Sequence, residues 1–200
     1  MNEAGTIHPG LPFWPLVEAH TTREDVGTIH GVGIDRYDWL RIYPSHPVVE
    51  SAVMKACLSP EGLPTHFVTI QGRRCKTLDE FVRTWGDALE FPGYYGRNID
   101  AFNECLMDLL NVEEGGLGSQ FRDRVGRPVS RLVINVAYAD LVLSQEDGRI
   151  GAPRILEIID GSFAEVSGLR CDLRVVYYSR IGTSPEQLLS RLRTIPPASG

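Results

Sequence analysis

From residue 77 to residue 110, apolar positions recur every three or four residues, the spacing of one helix face. Leu78, Phe81, Val82, Trp85, Ala88 and Leu89 form a first stripe. Thr77 and Glu80 open it at capping-box spacing, and Pro92 and Gly93 stop it. Ile99, Phe102, Leu106, Leu109 and Leu110 form a second stripe, with Asn98 as its N-cap. Four shorter runs read as strands: RYDWLRIY (36–43), HFVTI (66–70), RLVINVAY (131–138) and CDLRVVYY (171–178). The near-continuous apolarity of 131–138 is that of a strand covered on both faces. Further helices are expected over 48–58 and within 151–166, the latter with Ile155, Leu156, Ile158, Ile159 and Phe163 on its core side. A last helix opens at Ser184 and Pro185 and ends near Arg193.

Between these elements, residues 1–35 carry Gly, His, Pro and Thr without a clean period and read as a loop-like arm, flexible or partly ordered against the body. Residues 112–130 are polar and Gly-rich and read as a loop, and residues 196–200 as a frayed tail. Strands alternating with helices through long crossovers give an α/β fold with a small, mainly parallel sheet. The expected organisation is an arm (1–35), a strand–helix extension (36–64), a main domain (65–180) and a C-terminal helix and tail (181–200). In the extension, Trp39, Leu40, Ile42 and Tyr43 are too apolar for water. They are expected to extend the sheet edge or to cover a face of the core.

Composition narrows the function. The 200 residues are 42% hydrophobic and 23% charged, the balance of a globular protein, and the formal net charge is -6. Lys and Arg are scattered singly, so direct nucleic-acid binding, which needs clustered cations against phosphates, is not expected. A basic partner suits the charge better. No apolar run reaches the roughly 18 residues of a membrane helix, and the N-terminus lacks the basic start and apolar core of a secretory signal. Cys57, Cys75, Cys105 and Cys171 form no CxxC pair and have no His at metal-ligand spacing. They read as reduced thiols of a cytoplasmic protein, although a disulfide between two of them stays open. His8, His20, His30, His46 and His66 are dispersed, GTIHGVGID (27–35) lacks the spacing of a phosphate loop, and no nucleophile elbow is present. No metal and no cofactor are expected.

The candidate chemistry lies in FPGYYGRNIDAFNECL (91–106). Asp100, Glu104 and Asp108 are spaced i, i+4, i+8, which stacks them on one helix face about 6 Å apart per turn. Asp100 and Asn103 lie near the helix N-terminus, where the backbone dipole favours negative charge. The preceding loop offers Tyr94 and Tyr95 beside Gly96, a residue that lets the backbone turn or approach something closely. Each feature alone is ordinary: acidic helix faces are usually just solvated, and tyrosines before a helix are often packing. Together they supply aromatic anchors and carboxylates on one short surface, as a pocket lined by Arg, Lys and His requires.

This segment resembles the barstar family, intracellular inhibitors of the bacterial ribonuclease barnase. Pro92, Tyr94, Tyr95, Gly96, Asn98, Ile99, Asp100, Ala101, Phe102, Cys105 and Leu106 stand in register with that family's Pro-x-Tyr-Tyr-Gly-x-Asn loop and acidic helix. VTIQGRRCKTLDEFVRTWGDAL fits its opening strand–turn–helix unit, and Cys171-Asp172 its last strand. The resemblance spans about residues 66–178 with an insertion in the middle loop. It implies a barstar-like small parallel sheet packed with helices, and a function without chemistry, in which carboxylates fill the positions of RNA phosphates in a nuclease's basic cleft. Asp100 matches a contacting carboxylate, and Glu104 takes the place of a central Asp with one methylene more. Tyr94, Gly96, Asn98 and Ile99 match further contact positions, and Glu165 matches a contact acid on a later helix. Two positions depart from the family: Asn103 stands where it has a contacting Trp, and Arg97 where it has an acid.

The resemblance therefore implies a cytoplasmic inhibitor or immunity protein whose partner is a ribonuclease or a related toxin with a basic cleft. The partner-binding set is Tyr94, Tyr95, Gly96, Asn98, Ile99, Asp100, Asn103, Glu104, Asp108 and Glu165. Immunity or regulatory binding to a partner that is not a ribonuclease is the alternative. An enzyme using Asp100 and Glu104 as acid and base ranks last, because an outward i, i+4 pair has no burial to separate two pKa values.

Overall fold

A computed structural model of the chain describes residues 12–23, 27–60, 62–112, 115–146, 151–166 and 170–193. The two most apolar runs occupy the middle of a five-stranded sheet. They are β6 (Arg131–Ala137) and β7 (Asp172–Ser179). β6 pairs in parallel with β5 (Thr65–Gln71), and β7 with β4 (Tyr37–Pro44). A short strand β3 (Val32–Ile34) adds antiparallel to β4, so the order is β3-β4-β7-β6-β5. Register is fixed by the alternation of side chains across the pleat. Ile134 lies between Val68 and Val175, and all three enter one core. Val133, Val176, Tyr43 and Tyr178 enter the other.

Helices cover both faces. On the first lie α3 (Leu78–Ala88), α4 (Ile99–Leu110), α5 (Ala152–Glu165) and α6 (Pro185–Arg193), which pack Phe81, Trp85, Phe102, Leu106, Ile155, Leu156 and Leu188 against the sheet. The second face is covered by α2 (Pro47–Leu58) and α1 (Phe13–Thr21). The α/β fold with a mostly parallel sheet is as the sequence implies. Each strand and helix expected beyond residue 36 forms within a few residues of its expected bounds. Trp39, Leu40, Ile42 and Tyr43 do both things expected of them: β4 extends the sheet, and its side chains fill the cores on both faces.

The main difference lies within residues 1–35. Phe13, Trp14, Leu16 and Val17 of α1 are buried against α2 and the sheet, while β1 (Thr22–Arg23) pairs with β2 (Gly27–Thr28). Pro15 falls in the first turn of α1, where a missing N–H costs nothing, so it does not break the helix that its presence argued against. Residues 1–11 of the arm and the tail at 196–200 lie outside the described residues. The 115–130 segment contains no helix or strand and is held by buried Leu117 and Phe121 and by paired backbone bonds between Leu117 and Arg127. All four cysteines are free thiols, three of them buried, so the open possibility of a disulfide is not realised.

Candidate functional site

α4 carries the acidic stripe because its other side is committed to the core. Phe102, Cys105, Leu106, Leu109 and Leu110 are buried, which leaves Asp100, Glu104 and Asp108 exposed along the opposite face. Asn98 caps the helix by accepting a hydrogen bond from the Ala101 N–H at 2.9 Å. Among the described residues none of the three carboxylates has an ion-pair partner within 4 Å. Partial burial holds the Asp108 carboxyl above the usual carboxylate range, and neighbouring Glu104 adds to the shift.

The loop before α4 divides its two tyrosines. Tyr94 is 61% exposed, and burial, Cys105 and Asp108 raise its phenol. Tyr95 turns inward, so the expected pair of presented rings is in fact one. Its hydroxyl donates to the Val82 carbonyl at 2.9 Å, and its ring packs edge-on against Phe91. The ring fills a notch left by Gly86 in α3, where an added Cβ would lie 2.4 Å from Tyr95 Cε1. Burial pushes the Tyr95 phenol well up.

Of the two roles expected of Gly96, a left-handed turn is not the one it fills. The residue with left-handed backbone is Arg97, at φ 51°, whereas Gly96 does not have positive φ. What a side chain at Gly96 would meet is the cap, since an added Cβ would come within 3.2 Å of Asn98 Nδ2. Arg97 leans back to Asp87 at 3.7 Å, so its charge beside the acidic face already has a partner within the chain.

Asn103 is half-buried and works between helices. Ser162 of α5 donates to its Oδ1 at 2.5 Å, which joins α4 to α5. Beside this link lies an open cleft of about 370 Å³, lined by Ile99, Asp100 and Asn103 on one side and by Arg154, Glu157, Ile158, Gly161 and Glu165 on the other. Asp100 and Glu165, 65 positions apart, thus line the same cleft, while Glu104 and Asp108 lie outside it. Arg154 is paired with Glu157 at 2.8 Å. Apart from Glu165, the α5 wall was not among the expected site residues. Its signal was available, because 154, 157, 161 and 165 recur at helical spacing on the side away from Ile155 and Leu156.

Among the described residues no three His, Cys, Asp or Glu side chains are grouped to hold a metal, and no helix is long and apolar enough to cross a membrane. No curated protein matches the sequence. Residues 65–122 match the family model described as Barstar (barnase inhibitor). The match covers β5, α3, the Tyr94 loop, α4 and part of the loop beyond, and excludes Glu165 and Asp172. From β5 through the acidic helix, then, this chain carries a Barstar (barnase inhibitor) family segment, set within a longer α/β fold.

Proposed function

We propose that the chain is a protein inhibitor that blocks the active site of a ribonuclease, with the outer face of α4 and Tyr94 as its contact surface. The observation that carries this reading is the unpaired row Asp100, Glu104 and Asp108 beside an exposed aromatic ring. Carboxylates held without internal counter-ions are free to pair with a partner's cations, and bidentate bonds from arginines can offset the cost of desolvating them. The acid at the mouth of the α4–α5 cleft, Glu165, extends the same negative surface to a second helix. Tyr95, Asn98, Asn103 and Gly96 act behind the surface in this reading, by holding the loop, the helix start and the cleft in shape. The inhibitor works in the cytoplasm of its producer, in keeping with four free thiols.

The fit to barnase itself is altered. Where that family presents a tryptophan, Asn103 is spent on Ser162, and Arg97 sets a cation beside the face. These two residues favour a ribonuclease with a different cleft, or a related toxin, as the partner. An acid–base enzyme gains no support, because Asp100 and Glu104 are both exposed and only Asp100 lines the cleft. The test is inhibition of purified microbial ribonucleases by the purified chain, with RNA added before or after it. Inhibition that RNA relieves competitively is expected for at least one ribonuclease, whereas non-competitive inhibition would refute active-site blockage.

A further inference from the structure

The loop following α4 is fastened by a charged cluster that the acidic face does not use. Arg127 contacts Glu90, just beyond α3, through an ion pair with Nη2, and Arg124 reaches the same carboxylate at 3.4 Å. The other terminal nitrogen of Arg127 meets His66 of β5 at 2.5 Å from Nε2 and 3.2 Å from Nδ1. The guanidinium lies close to both ring nitrogens at once, so a cation is held against the imidazole whichever nitrogen carries its proton. Protonation of the ring would set cation against cation.

The surroundings give the added charge little relief. Among the described residues Arg127, Arg124 and Glu90 are the charged groups that face the ring, and that carboxylate is already shared by both arginines. Behind lies a cavity of about 20 Å³ walled by Leu89, Leu109, Leu117 and Leu132, room for about one water. Burial first, and Arg127 second, hold the His66 imidazole below its ordinary value.

The fastened loop reaches the proposed contact surface. The Gly118 N–H donates to the Leu109 carbonyl in the last turn of α4 at 3.0 Å. Phe121 packs 6.2 Å from Phe91, which in turn packs on Tyr95, and Arg122 and Asp123 act electrostatically on Tyr94.

We infer that His66, Arg127 and Glu90 form an acid-released fastener for the 115–130 loop, through which mild acid loosens the Tyr94 edge of the binding face. The inference deepens the reading given under Proposed function only in its last clause, because the release itself needs no partner. The sign follows from linkage. A folded value below the unfolded one near 6.5 leaves the closed loop intact at neutral pH. The opening constant then rises up to tenfold per pH unit as pH falls from about 6.5 to the folded value, and levels off below it.

The test is a pH series from 7.5 to 4.5 on the isotope-labelled full chain, with the His66 ring and the amides of 94 and 117–127 followed by NMR. In the wild type those amides are expected to shift with the ring's midpoint, below 6.5. In His66→Gln, which stays neutral and still offers an acceptor, the loop transition in this range should vanish. In Glu90→Gln the midpoint should move lower, since the carboxylate that favours the charged ring is gone. A ring that titrates at or above 6.5, a loop that ignores it, or a transition kept by His66→Gln would overturn the inference. No partner is present in this experiment, so its outcome is independent of the ribonuclease reading.

Discussion

Substituting Asp172 by Asn strands a buried cation, and the cost can be worked from the geometry. Arg131 is 2% exposed, its Nε meets Asp172 Oδ2 at 2.7 Å, and its Nη1 is buried without a hydrogen-bond partner among the described residues. Arg174 meets the other carboxylate oxygen at 2.7 Å. One negative charge therefore serves two guanidiniums at the amino end of the central strands. Neutralising it removes the counter-ion and leaves both positive charges together, a class of change that costs about 3–5 kcal/mol. That is a large share of a typical total of about 5–15 kcal/mol. In a chain of this length, 1 kcal/mol moves Tm by roughly 2–4 °C, so Asp172→Asn should lower Tm by about 6–20 °C. Arg174→Met is the control: Arg174 is 19% exposed, and its removal leaves Arg131 and Asp172 paired one to one, so it should cost clearly less. Thermal unfolding followed by circular dichroism at pH 7 measures both. A fall of under ~3 °C for Asp172→Asn, or an equal fall for Arg174→Met, would refute the assignment of Asp172 as the counter-ion that makes Arg131's burial tolerable.

The two tyrosines should separate cleanly. Tyr95→Phe loses the bond to Val82 and about 1 kcal/mol of stability, whereas Tyr94→Ala should change stability by less than about 0.5 kcal/mol and weaken partner binding instead. Gly86→Ala would normally favour a helix, but here the new methyl meets the Tyr95 ring, so urea unfolding should report a loss of about 1–3 kcal/mol. Phe13→Ala should cost about 3–5 kcal/mol in the same assay, because the ring is fully buried between Trp14 and Arg131; a small effect would mean that α1 is not part of the core.

What the sequence made legible follows from where each signal is local. β6 and β7 announce themselves because strands covered on both faces need apolar side chains at every position. α3 does so through the Thr77–Glu80 capping box, which forms as spaced. The stripe of α4 likewise places its carboxylates outward. α1 was hidden, because its apolar residues are contiguous and interrupted by proline, and because the face they cover is assembled from β4, β6, β7 and α2. The direction of Tyr95 was equally hidden, since it depends on a notch at Gly86 and on a bond to the Val82 carbonyl. The Asn103–Ser162 link joins residues 59 positions apart, and no spacing rule reaches that far. Glu165 was singled out through the resemblance, and the structure sets it on the same cleft as Asp100.

The central claim is that carboxylates on α4 take the place of RNA phosphates, and one measurement tests it most directly: the affinity of Asp100→Ala/Glu104→Ala for a ribonuclease that the wild type inhibits. Both side chains are exposed and unpaired among the described residues, so the double variant should unfold within a few degrees of the wild type. Losing a partner from a buried interfacial charge pair costs about 2–5 kcal/mol, so binding should weaken at least about 30-fold. Wild-type affinity in a folded double variant would contradict the account.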